Sequence, residues 1–118
     1  MLVRVQSWAP IFPTNPSRGA PPADGAQVTT GWTNSTLNNT TWFTFVAPAS
    51  GSVRVNNTAI NYNGQAAVYN VNDCNNFGSF FLIAANDNEI DGTSLAPNFT
   101  ICGLTPGNTY HLMNDGFN

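Results

Sequence analysis

The sequence predicts an all-β protein, an antiparallel jelly-roll or immunoglobulin-like β-sandwich with a strand-like arm at its N-terminus. Three observations lead there. Short runs of β-branched and aromatic residues recur along the chain, Gly, Pro, Asn and Asp separate them, and no apolar spacing of helical period persists over ten or more residues.

Strands are expected near Leu2–Gln6, Ala26–Thr33, Thr41–Val46, Ser52–Asn57, Gln65–Asn70, Ser79–Ala85, Asn98–Cys102 and Thr109–Met113. Alternation is clearest in Trp42-Phe43-Thr44-Phe45-Val46. It sets Phe43 and Phe45 on the core face and Trp42 on the opposite surface. Val53 and Val55 flank Arg54 in the same way, as Val3 and Val5 flank Arg4. Phe43, Phe45, Val53, Val55, Val68, Leu82, Ile101 and Leu112 form the expected core. Ala47-Pro48-Ala49-Ser50-Gly51 and Leu104-Thr105-Pro106-Gly107-Asn108 have turn chemistry, because Pro presets φ and Gly accepts a positive φ. Residues 9–25 hold five prolines and read as an extended linker. The expected organisation is an arm at 1–8, this linker, and one sandwich domain at 26–118.

The composition narrows the function. Three Arg, no Lys, six acids and a net charge of −3 leave solubility to Asn and Thr side chains, as on many secreted β-proteins. Without clustered cations the chain is not expected to bind nucleic acid or an anionic membrane. No segment approaches the roughly 18 apolar residues of a membrane helix. Met1–Gln6 lacks the apolar stretch of a signal peptide, so an extracellular protein with this start is expected to be a mature form or a fragment.

Two cysteines, Cys74 and Cys102, cannot make a four-ligand zinc site even with His111, the sole histidine. A disulfide between them is the expectation, with two free thiols as the alternative. It would close a loop of about 29 residues, contribute roughly 3 kcal/mol, and indicate an oxidising compartment.

No catalytic constellation is evident. His111 alternates with apolar neighbours in Tyr110-His111-Leu112-Met113 and reads as structural rather than as a base. Glu89, Asp87 and Asp91 share one short loop, too close together to straddle a sugar as a carboxylate pair. An enzyme is therefore not expected, and no cofactor is required. Asn86-Asp87-Asn88-Glu89-Ile90-Asp91-Gly92 could present Asp87 and Asp91 to calcium, or be an Asn/Asp-rich turn without the spacing of an EF-hand. Trp8, Trp32, Trp42, Tyr62 and Tyr69 are available to stack on a glycan, though most aromatics of a sandwich are core. Asn34, Asn38, Asn39, Asn56 and Asn98 stand in Asn-x-Ser/Thr sequons and are candidate glycosylation sites.

From Thr41 onward the order of motifs resembles a known family. The residues concerned are Trp42-Phe43-Thr44-Phe45-Val46-Ala47-Pro48-Ala49-Ser50-Gly51, Ala67-Val68-Tyr69, Asp73-Cys74, Ala85-Asn86-Asp87, Cys102-Gly103-Leu104-Thr105-Pro106-Gly107-Asn108-Thr109-Tyr110 and Asn114-Asp115-Gly116. They are similar to the secreted β-sandwich domains of Bacteroidota related to bacterial pre-peptidase C-terminal domains. The resemblance implies a jelly-roll-like sandwich, an extracellular address and, in protease-linked relatives, sometimes calcium. Such domains usually continue past the Asp-Gly into a further strand, whereas this sequence stops at Asn118, so the sandwich is expected to lack its last strand. It also has an arm that the family pattern does not require.

An open sandwich exposes unpaired backbone groups and core side chains. A spare strand, Leu2, Val3, Arg4, Val5 and Gln6, on a linker of about 17 residues that extends to roughly 50 Å, could fill that opening in a neighbour. Head-to-tail exchange of this kind propagates into a homopolymer. The expected function is thus a subunit of an extracellular, pilus-like filament built by donor-strand exchange. The alternatives are a monomeric adhesion, carbohydrate-binding or substrate-binding module whose arm folds back on itself, and a piece of a longer protein.

Overall fold

The computed structural model describes residues 2–5, 40–57, 63–86 and 96–117. Among them are seven strands: β1 (Leu2–Val5), β2 (Thr41–Val46), β3 (Val53–Asn57), β4 (Asn63–Val71), β5 (Phe80–Asn86), β6 (Asn98–Ile101) and β7 (Thr109–Phe117). One turn of 3₁₀-helix, Phe77–Ser79, leads into β5. The strands form a two-sheet sandwich, with order β1-β3-β6 in one sheet and β2-β7-β4-β5 in the other. The expected all-β class is what the chain adopts. The strand expected at Ala26–Thr33 and the linker at 9–25 lie outside the described residues.

Pairing is antiparallel throughout except between β1 and β3, which run parallel. A hairpin cannot join parallel neighbours, so β1 requires the long connection that separates it from the rest of the chain. β7 is nine residues long and pairs with β2 on one side and β4 on the other. It continues four residues beyond the expected Met113. Asn114, Asp115 and Gly116 look like a turn in sequence, yet they lie in the ladder opposite Ala66, Gln65 and Gly64.

The principal core fills the space between the sheets. Phe45, Val53, Val55, Ala66, Val68, Ile101, Leu104, Tyr110 and Leu112 are buried there, and Phe43, Ala84 and Phe99 pack against them. Phe43 and Phe45 therefore share the core face, as the alternation requires. Asn57 Nδ2 donates to Asn114 Oδ1 at 2.6 Å, tying β3 to β7 between the sheets with a buried polar bond.

The reverse face of the four-stranded sheet is also buried. Trp42, Ala67, Tyr69 and Met113 form a second cluster there, with Val71, Phe80, Leu82 and Ala85 packed against it. Trp42 and Tyr69 are 5% and 0% exposed. This corrects the expectation for Trp42 and takes two rings out of the glycan-stacking alternative. Trp42 does not face solvent, and neither Trp42 nor Tyr69 is available to stack on a sugar, because neither ring presents a free face. Leu82, expected in the main core, is half-buried in this second cluster. A β-bulge at Val68/Tyr69, which pair with Ala84 and Leu82, leaves Ile83 unpaired and exposed between them.

The disulfide is not formed. Cys74 and Cys102 are both free and exposed. Cys74 lies in the β4–β5 connection of one sheet, whereas Cys102 directly follows β6 of the other. The two sulfurs have separate surroundings, Cys74 Sγ beside His111 on the outer face of the four-stranded sheet and Cys102 Sγ beside Ser52, which directly precedes β3.

Candidate functional site

Two regions carry the features that bear on function: the β1–β3 margin and the end of the sandwich where β7 begins.

At the margin, Leu2, Val3, Arg4 and Val5 pair in register with Arg54, Val55, Asn56 and Asn57. Val55 and Asn57 are buried while Arg54 is exposed, so the inward parity of β3 falls opposite Val3 and Val5. On the other side of β3, Asn56 stands directly opposite Asn98. Arg54 Nε donates to Asn98 Oδ1 at 3.0 Å, crossing the β3–β6 ladder on the outer face. These two sequon asparagines thus meet on one face, both half-buried. Gln6, Asn34, Asn38, Asn39, Asp87 and Asp91 lie outside the described residues, as do Trp8, Trp32 and Tyr62.

At the other region the two turns read from the sequence interlock. Gly51 N–H donates to Pro48 O and Asn108 N–H to Thr105 O, closing the turns individually. Ala47 N–H then donates to Asn108 O, Gly107 N–H to Ala47 O and Leu104 N–H to Gly51 O, joining one turn to the other. Gly51 and Gly107 have φ of 65° and 82°, the left-handed values that favour glycine. Tyr110 packs in the core with its ring stacked on Phe45, and its hydroxyl accepts from Thr105 N–H at 3.0 Å.

The β4–β5 connection lies toward the same end, because β4 runs antiparallel to β7. Asp73 Oδ1 accepts from Asn75 N–H and Asn76 Oδ1 from Gly78 N–H, both at 2.9 Å. Ser79 Oγ accepts from Asp73 N–H and donates to Asp73 O. Asn and Asp side chains that fold back on nearby backbone N–H groups give the loop a defined shape without regular structure. The loop sets Cys74 Sγ 3.4 Å from His111 Nε2.

His111 is 7% exposed, on the outer face of central β7 between Thr44 and Tyr69. Phe80 lies edge-on to Trp42 and tilted to both Tyr69 and His111, so the imidazole is set among aromatic rings. Burial lowers the His111 pKa below its ordinary 6.5, which keeps the ring neutral at neutral pH, and raises that of Tyr69. The sequence did not reveal this pair. Its members are 37 positions apart, and only the β4–β5 loop geometry joins them. No group of three or more metal-ligating side chains occurs among the described residues, and no helix there is long and apolar enough to cross a membrane.

Compared with known proteins, the chain matches no protein-family model, no curated sequence and no solved structure.

Proposed function

We propose that the chain is a structural subunit of an extracellular filament in which β1 of one copy pairs with β3 of the next. The supporting observation is the β1–β3 ladder: a four-residue strand, parallel to its only described neighbour, at the margin of a three-stranded sheet. The rest of the described sandwich begins at Thr40, so residues 6–39 separate the strand from the sandwich. Extended, that connection reaches roughly 110–120 Å. A strand delivered by a neighbour makes the same backbone bonds as the strand of the same chain, so exchange costs no pairing energy. Concentration and the connecting segment then decide between the two forms. A surface of neutral polar groups and the motif resemblance to secreted sandwich domains support the extracellular address.

The second reading is a monomeric adhesion or substrate-binding module. It draws on the same ladder, which here joins β1 to β3 of its own chain.

Cross-linking separates the two. In a Cys74→Ser, Cys102→Ser background, Leu2→Cys and Arg54→Cys place thiols at paired positions, Arg54 being exposed. Oxidation or a short bis-maleimide then joins whichever β1 and β3 are neighbours. The filament reading expects a ladder of covalent oligomers on a denaturing, non-reducing gel, rising with protein concentration. Closed monomers at every concentration would replace it with the binding-module reading.

A further inference from the structure

The two free thiols have different neighbours. Cys102 Sγ has Ser52 Oγ at 3.8 Å, a hydroxyl that takes up no proton at neutral pH. Cys74 Sγ has His111 Nε2 at 3.4 Å. Cys74 is an exposed residue whose sulfur meets the buried His111 ring in a partly buried contact. Their arrangement is built from both sides. The loop is shaped by the Asp73, Asn76 and Ser79 bonds, and the ring is fixed on central β7 beside Phe80 and Tyr69. A nucleophile within reach of an oriented base is the arrangement that activates a thiol.

We propose that Cys74 is a thiol–disulfide exchange site for low-molecular-weight disulfides, with His111 as its base. In the tautomer that carries its proton on Nδ1, His111 Nε2 accepts the Sγ–H proton. The sulfur attacks one sulfur of R–S–S–R, a Cys74–S–S–R bond forms and the original S–S bond breaks. The departing R–S⁻ takes the proton from His111 and leaves as R–SH. Atoms and electrons balance with the small disulfide as the only co-reactant. Burial keeps the imidazole neutral at neutral pH but also lowers its basicity, so it is the 3.4 Å geometry that carries the role. The inference stands apart from filament assembly, since it concerns the opposite sheet.

The test uses the reduced full chain and oxidised glutathione at neutral pH. Samples are quenched with acid over time, and the mixed disulfide at each cysteine is quantified by peptide mass spectrometry. Cys102 is the internal reference. Cys74 is expected to react about tenfold faster or more in the native protein, with the ratio falling to near one in urea. His111→Gln is expected to remove the advantage while the Cys102 rate and the near-ultraviolet circular dichroism stay unchanged. Equal native rates overturn the proposal. So does a ratio that survives unfolding, or one that persists in a folded His111→Gln variant. Should that variant not fold, the wild-type native and urea ratios still decide.

Discussion

His111 illustrates how a single side chain ties stability to pH. Its folded-state pKa lies below the ordinary 6.5 because burial penalises the imidazolium. A depressed histidine binds its proton more readily when unfolded. Its contribution to stability is therefore complete above about 6.5 and is lost as pH falls from there toward the folded-state value. The chain has one histidine, so no other imidazole titrates in that window. The melting temperature is expected to fall between neutral pH and mildly acidic pH, and to fall less in His111→Gln. A parallel decline in both proteins would assign the loss to carboxylates instead. The residue scale is also where the sequence is least informative. Alternation assigned Phe43 and Trp42 to opposite faces correctly. Parity alone could not say that both faces would be covered, which is why Trp42 was expected at the surface and is buried.

Among the elements, the joined turns are the best defined. Pro48, Gly51, Pro106 and Gly107 were legible because each meets a φ requirement that few other residues satisfy. What the sequence does not reveal is that the turns bond to each other. A Cβ on Gly51 would come within 2.6 Å of Leu104 O, which belongs to the partner turn, at a backbone φ of 65°. Gly51→Ala is therefore expected to destabilise by more than about 1 kcal/mol through strain and a backbone clash together. Urea denaturation measures this, and Gly107→Ala is the informative comparison. Gly107 has a similar φ, but a Cβ there meets nothing within 4 Å, so it reports the φ cost alone. Equal losses at the two positions would mean that the turns separate readily. The end of β7 was misread for a related reason. Asn114, Asp115 and Gly116 are turn-type residues that pairing with β4 draws into a strand.

At the scale of the molecule, the sandwich class follows from local chemistry, whereas the order of its strands does not. Period-two patterns and turn residues mark where strands begin and end, but β2 and β7 pair across more than sixty positions of sequence. Separation along the chain, here 37 positions, likewise hides Cys74 from His111, and local pattern does not show that Cys74 and Cys102 belong to different sheets. The four-stranded sheet, covered on both faces around β7 and β4, is the part of the molecule best shielded from water. Hydrogen exchange followed by mass spectrometry or NMR should find the slowest amides in β7 and the facing residues of β4, and faster ones in β1 and β6. Protection of β1 equal to that of β7 would mean that the arm and the sandwich open as one unit.

The position of β7 has a consequence for how the chain is made. Of the described strands it is the last to leave the ribosome, yet it belongs between β2 and β4, two strands synthesised well before it. Until it arrives, the four-stranded sheet has no centre, and Phe45, Ala66 and Val68 have no Leu112 or Tyr110 to close over them. Closure of the four-stranded sheet therefore awaits β7 rather than proceeding piecewise from β2. A nascent chain of this design leaves β2 and β4 without their shared partner until β7 has emerged, and in that open state a polypeptide can still be threaded through a narrow channel.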